Sequence, residues 1–214
     1  MTTTFKFVQG LYGITPQTSN FDSLHVAVKQ AAQGGMTTLQ WRQKNLDLIV
    51  ARQQALEMAK LCRTLGVAFI INDDIDLALY VDADGLHLGK EDGSARAARQ
   101  RLGPNKIIGC SCYNDIGLAQ AAIVDDADYV AFGAVFSSSV KPDAVRAPLS
   151  LFDHARQLVT AMAHKPVSLV AIGGITVDNA ASVIDAGADS LAVIGGLFDQ
   201  PNIHESAAKF AALF

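Results

Sequence analysis

The residues best suited to chemistry stand together at Gln40-Trp41-Arg42-Gln43-Lys44. They follow an apolar approach, Met36-Thr37-Thr38-Leu39, that reads as a β-strand. Side chains of an extended chain alternate faces, so Gln40, Arg42 and Lys44 point one way and Trp41 and Gln43 the other. One amide and two permanent cations on a single face, at the end of a strand, make a comb for an anion. Arginine offers phosphate oxygens a planar fork, and lysine a mobile point charge. The same residues also fit a solvated polar rim where a strand runs out into a loop, so the ends of the other strands have to decide.

Polar residues gather at those ends too. Asn72-Asp73-Asp74 follows Phe69-Ile70-Ile71, and Gly89-Lys90-Glu91-Asp92 follows Leu86-His87-Leu88. Ser111 ends a fifth strand, and Ser137-Ser138-Ser139-Val140-Lys141 follows a sixth. Gly173-Gly174 and Gly195-Gly196 close the seventh and eighth. Each group has a plain structural use: an Asx turn at 72–74, a helix cap from Asp74 or Asp92, turn glycines at the pairs. Asp74, furthest from its strand, is the expected cap. Asp73 and Asp92, facing Arg42 and Lys44, form a hard-oxygen pair beside a phosphate comb, which suits Mg²⁺. The two glycine pairs expose backbone N–H groups near helix starts and so suit a second phosphate. His87, between Leu86 and Leu88, reads first as a barrel-lining core residue.

These groups need a scaffold that brings strand ends together. Candidate strands are Gly10-Ile14, Thr37-Arg42, Ala68-Ile71, Gly85-Leu88, Lys106-Ser111, Tyr129-Phe132, Ser168-Ile172 and Ser190-Ile194. They are nearly continuous apolar runs, as expected of parallel strands covered by helices. Helical spacing lies between them, as in Leu24-Val28-Ala31-Ala32 and Ala97-Ala98-Arg101-Leu102, and a last helix is expected from Ile203 to Leu213. A weak repeat recurs at Asp82-Ala83-Asp84, Asp126-Ala127-Asp128 and Gly187-Ala188-Asp189, each followed by an apolar strand and a closing glycine. Eight alternating units predict a single α/β domain over 1–214: a parallel, eight-stranded (β/α)₈ TIM barrel, with a doubly wound open sheet as the alternative. Such barrels carry their sites at the C-terminal ends of the strands.

Composition narrows the partners. The chain has 214 residues, half of them apolar, enough for one well-buried domain. Its 17 Lys and Arg are scattered and its net charge is -4, so no nucleic-acid groove is expected. No apolar run has the length of a membrane span, and Met1-Thr2-Thr3-Thr4-Phe5-Lys6 does not read as a signal peptide, so a cytoplasmic location is expected. Three cysteines without a C-x-x-C argue against disulfides or zinc. Cys62, Cys110 and Cys112 are read as packing residues, with reactivity of Cys110 or Cys112 left open. Homo-oligomerisation is left open.

Taken together these segments resemble thiamine-phosphate synthase over nearly the whole chain. The likeness rests on Tyr12-Gly13-Ile14-Thr15, Leu39 to Lys44, Ile71 to Asp74, and Ala83 to Gly89 with Asp92. It continues through Gly109-Cys110-Ser111, Ala127 to Gly133 with Lys141, Ala171 to Thr176, and Gly187 to Asp189. The resemblance implies a transferase that joins a hydroxymethylpyrimidine diphosphate to a thiazole phosphate by dissociative substitution, giving thiamine phosphate and pyrophosphate. It implies Gln40, Arg42, Lys44, Asn72, Ser111 and Lys141 around the pyrimidine diphosphate, with Arg42, Lys44, Ser111 and Lys141 assisting catalysis. Asp73 and Asp92 would hold Mg²⁺. Ser138, Ser139, Val140, Gly174, Ile194 and Gly195 would hold the thiazole phosphate. Two departures bear on that second substrate: Val140 where the family often has a hydroxyl, and Gly195 where it often has serine. A thiazole tautomerase-like isomerase and a non-catalytic binder of thiamine phosphates are the rival readings.

Overall fold

The computed structural model describes residues 6–137 and 145–214. Eight parallel strands close in chain order into a barrel. They are β1 (Gly10–Ile14), β2 (Met36–Trp41), β3 (Ala68–Asn72), β4 (Gly85–Leu88), β5 (Ile107–Tyr113), β6 (Tyr129–Gly133), β7 (Ser168–Ile172) and β8 (Ser190–Val193). The helices between and after them are α1 (Phe21–Gln33), α2 (Leu48–Leu65), α3 (Ile75–Tyr80), α4 (Ala95–Leu102), α5 (Ile116–Val124), α6 (Leu151–Met162), α7 (Val177–Asp185), α8 (Gly195–Phe198) and α9 (Ile203–Ala211). The expected barrel is therefore present, and the open sheet is not.

Short polar side chains start the helices. Asn20, Asp47, Asp74, Ser94, Asp115 and Asn202 each accept a backbone N–H in the first turn that follows. Asp74 is thus the cap expected of it, and Ser94 rather than Asp92 caps α4. Several boundaries differ from expectation by one or two residues: β3 and β6 run one residue further, β5 runs from Ile107 to Tyr113 rather than from Lys106 to Ser111, and β8 stops at Val193. β2 stops at Trp41, because the N–H of Arg42 turns to the Thr15 hydroxyl, 2.9 Å away. The last helix stops at Ala211 rather than Leu213.

Period-two alternation sorts the strand residues into two cores. Leu11, Leu39, Phe69, Ile71, Leu86, Ile108, Val130, Phe132, Leu169 and Leu191 face the helices. Tyr12, Ile14, Ile70, Ile107, Tyr129, Val170 and Ala192 fill the barrel with Phe7. Cys62 and Cys112 lie in the outer core and Cys110 packs against it. Burial pushes the thiols of Cys62 and Cys110 up to about 12, which favours the protonated form of both.

The Ala-Asp repeat has a structural cause. Asp84, Asp128 and Asp189 stand just before β4, β6 and β8, and each accepts the N–H of the preceding odd strand: Phe69, Ile108 and Leu169, at 2.7–2.8 Å. In return the N–H of each aspartate donates to the carbonyl of that same partner. The carboxylate therefore completes the ladder at the bottom of the barrel, where the strand itself has run out. Asp128 goes furthest: it is 1% exposed and also pairs with Arg99 and Lys165, at 2.6 and 2.8 Å.

Candidate active site

The polar strand ends meet at the C-terminal mouth of the barrel. β2 brings Gln40 inward, where its amide is buried and Nε2 donates to the Tyr12 hydroxyl at 2.7 Å. Arg42, Gln43 and Lys44 leave the strand, and the loop after β1 fixes their course. Thr15 holds the Arg42 N–H. Gln17 holds Lys44 twice, accepting its N–H at 2.8 Å and donating to its carbonyl at 2.9 Å. Gln43 turns away from the mouth and donates to Thr15 and Pro16. The comb is thus a braced segment: Gln40 is buried at the strand end, Arg42 lies near enough to His87, and Lys44 near enough to Asp73, to act on their charge.

β3 and β4 bring the carboxylates. Asp73 takes a left-handed backbone, φ 63°, directly after β3, and its N–H donates to the His87 carbonyl on β4. Its side chain thereby meets that of Asp92, which accepts the Gly89 N–H at 2.9 Å. The pair has little to offset it. Burial raises the pKa of Asp73 from 3.8 to about 6, contact with Asp92 adds to the rise, and Lys44 and Asn72 oppose it. Asp73, Asp92, Lys44 and Asn72 are therefore neighbours in space, although 48 positions separate the extremes in sequence. Two adjoining carboxylates short of positive charge suit a hard divalent cation that takes its other ligands from phosphate and water. Among the described residues no cluster of three or more acidic, histidine or cysteine side chains offers a complete protein cage.

β4 and β5 complete this half of the mouth. His87 is buried, and both ring nitrogens are engaged: Nδ1 with Tyr129 and Nε2 with Ser111, each at 2.8 Å. Burial lowers its pKa to about 4; the Asp92 charge opposes this and Arg42 adds to it, so the ring is neutral near pH 7. The core reading of His87 holds for its burial but misses the contact with Ser111. Ser111 sits at a register shift of β5 against β6, an irregularity that re-aims a side chain at a strand end.

β7 and β8 build a second cavity, of about 340 Å³, lined by Gly174, Thr176, Ile194, Gly195, Gly196 and Ser137 among others. Gly174 has φ +65°, and a Cβ there would sit 2.3 Å from the Ser137 carbonyl oxygen, so only glycine fits. Asn179 ties the loop from both sides, accepting the Thr176 N–H and donating to the Gly174 carbonyl. At the other wall the Asp199 carboxylate stands 2.5 Å from where a Cβ of residue 195 would project, so it takes the space a serine would use. Ser138, Ser139, Val140 and Lys141 lie outside the described residues; of their flanks, Ser137 accepts from Arg146 at 2.8 Å at the edge of this cavity. Thr15, Gln17, Tyr12 and Tyr129 are not singled out as site residues by the sequence, because each bears on the site through another residue.

Over nearly its whole length the chain is similar to known proteins. A family model described as thiamine monophosphate synthase matches residues 11–197. The thiamine-phosphate synthase of Bordetella pertussis is 49% identical over 211 residues, spanning 99% of this chain and 97% of that protein. The thiamine-phosphate synthase of Aromatoleum aromaticum is also 49% identical, over 207 residues and 97% of both chains. The solved thiamine phosphate pyrophosphorylase from Pyrococcus furiosus superposes with a TM-score of 0.81 at 32% identity, covering 98% of this chain and 96% of that one.

Proposed function

The chain belongs to the thiamine monophosphate synthase family and joins a hydroxymethylpyrimidine diphosphate to a thiazole phosphate, and on that ground we propose how its residues divide the work. The observation that carries the assignment is the contact of Asp73 with Asp92 beside Lys44, at the end of a braced cationic comb. Gln40, Arg42, Lys44, Asn72, Ser111 and Lys141 bind the pyrimidine diphosphate. Asp73 and Asp92 would hold Mg²⁺, which as a Lewis acid offsets charge on the diphosphate. Gly174, Ile194 and Gly195, with Ser138, Ser139 and Val140, bind the thiazole phosphate. Residues 1–214 act as one catalytic domain.

The reaction asks little acid–base work of the protein. The bond between the pyrimidine methylene and the diphosphate oxygen breaks, and its electron pair leaves with pyrophosphate. The pyrimidine ring stabilises the resulting cation, and the thiazole nitrogen captures it. Arg42, Lys44 and Lys141 donate charge-assisted hydrogen bonds that strengthen as negative charge grows on the leaving group. Holding the two substrates in line contributes up to roughly 7–11 kcal/mol at its upper limit. No helix among the described residues is long and apolar enough to cross a membrane. Action in the cytoplasm, on small molecules rather than nucleic acid or membrane, is part of the proposal.

Formation of thiamine phosphate and pyrophosphate from the two purified substrates tests the division of roles. Arg42→Ala and Lys141→Ala should each lower turnover by about 100-fold or more with unchanged melting temperature. Wild-type turnover in either variant removes that residue from the mechanism, and full activity in excess chelator removes the metal.

A further inference from the structure

Four hydrogen bonds run without a break across the interior of the barrel. Gln40 Nε2 donates to the Tyr12 hydroxyl at 2.7 Å. Tyr12 meets the Tyr129 hydroxyl at 2.8 Å, Tyr129 meets His87 Nδ1 at 2.8 Å, and His87 Nε2 meets Ser111 at 2.8 Å. The two ends, Gln40 on β2 and Ser111 on β5, are residues assigned above to the pyrimidine diphosphate. The three middle members touch that assignment only through them.

We infer that Tyr12, Tyr129 and His87 form a polarised relay that sets, from behind the site, an acceptor at Gln40 and a donor at Ser111. The inference rests on the assignment of Gln40 and Ser111 to the pyrimidine diphosphate.

Counting protons gives the polarity. Each phenol has one proton and the neutral imidazole has one. With the Gln40 amide donating into Tyr12, Tyr12 must spend its own proton on Tyr129. Tyr129 must then spend its proton on His87 Nδ1, which leaves the imidazole proton on Nε2, aimed at Ser111. The Ser111 hydroxyl, already an acceptor on that side, has its proton free for the mouth. At the other end the Gln40 amide has used an N–H, and its carbonyl oxygen has no protein donor among the described residues. Reversing the amide would reverse every bond, and Ser111 would then offer only lone pairs to an anionic ligand. The direction that follows from the Gln40 amide is therefore the one that suits a diphosphate at Ser111.

The relay is built in. Tyr12 and Tyr129 are 1% and 0% exposed. Burial raises the pKa of both phenols, so both keep their protons. Phe7 packs on both rings, with centroids 5.3 and 4.2 Å away, and His87 stacks on Tyr129 at 5.6 Å. Gly109 makes the slot: a Cβ there would fall 1.8 Å from Tyr129 Cζ. Tyr12, Tyr129 and His87 are positioning residues, and a buried polar network with every member satisfied is rigid.

The test uses the full chain. In ¹⁵N NMR of the substrate-free protein, His87 should carry its proton on Nε2 with Nδ1 bare, and Tyr129→Phe should mix the two tautomers. A proton on Nδ1 in the wild type overturns the polarity, whatever the enzyme's reaction. In steady-state kinetics, folded Tyr129→Phe and Tyr12→Phe should each raise KM for the pyrimidine diphosphate about tenfold, the scale of one lost hydrogen bond, and leave KM for the thiazole phosphate unchanged. A purely structural role would instead lower kcat and melting temperature together and spare that ratio. Unchanged KM values in both folded variants overturn the relay. Failure of the wild type to form thiamine phosphate would sink the functional assignment and leave the tautomer result standing.

Discussion

Replacing Asp73 by Asn should make the metal-free protein more stable while removing its activity. The Asp73 carboxyl titrates at about 6 in the folded chain against 3.8 for an unperturbed group, because burial and Asp92 disfavour its charge. Two units correspond to about 3 kcal/mol. The side chain is only partly buried, and screening cuts that figure to about 1 kcal/mol. The sign follows from proton counts. Between pH 3.8 and 6 the folded state holds more protons than the unfolded state, so this contribution to stability is complete below pH 3.8 and lost as pH rises through 6. Asparagine has no charge to lose, and it tolerates the φ of 63° at this position as well as aspartate does. At pH 7.5 in chelator, Asp73→Asn should therefore melt about 2–4 °C higher than the wild type, the shift expected from about 1 kcal/mol in a domain of this size. The advantage should vanish by pH 3.8. Excess Mg²⁺ should stabilise only the wild type, and turnover of the variant should fall by orders of magnitude. A variant less stable than the wild type at pH 7.5 without metal would show that the carboxylate pair is not a site of stored repulsion, and the case for a cation there would go with it.

Three further substitutions test other parts of the reasoning. Gly109→Ala drives a methyl group into the Tyr129 ring, so it should destabilise the chain by about 3 kcal/mol or more in denaturant titration and raise KM for the pyrimidine diphosphate. Asp128→Ala leaves the Ile108 N–H without its acceptor and Arg99 and Lys165 with Asp126 as their remaining carboxylate at the bottom of the barrel; urea unfolding should report a loss of about 3 kcal/mol, while kcat of the remaining folded enzyme stays within about twofold. Gly174→Ala forces a Cβ to 2.3 Å from the Ser137 carbonyl at a positive φ; KM for the thiazole phosphate should rise about tenfold or more while that for the pyrimidine diphosphate stays put. Equal effects on both substrates would remove the glycine from the second cavity's role.

Much of the site is legible in the chain because barrel chemistry sits where strands stop. A strand announces itself by its apolar run, and the first polar residues after it are candidates, which is how Asp73, Asp92, Ser111 and Gly174 come forward without coordinates. The Ala-Asp repeat is legible in the same way, although its purpose is not. That Asp84, Asp128 and Asp189 each complete a neighbouring strand's ladder depends on which strands pair, and a local pattern carries no record of pairing. His87 marks the limit most clearly. A histidine between two leucines looks like any core residue, and its partners Tyr129 and Ser111 lie 42 and 24 positions away.

By itself the amino-acid sequence determined the alternation of strands and helices, the barrel and the chemical types gathered at its mouth, because these follow from local periodicity and from the rule that strand ends stay polar. Only the tertiary structure decided how those groups act on one another. The contact that raises the pKa of Asp73, the clamp of Gln17 on Lys44 and the chain of hydrogen bonds from Gln40 to Ser111 all arise between distant segments. Barrel closure brings those segments within hydrogen-bonding range, and charge and proton placement depend on distance in space rather than along the chain.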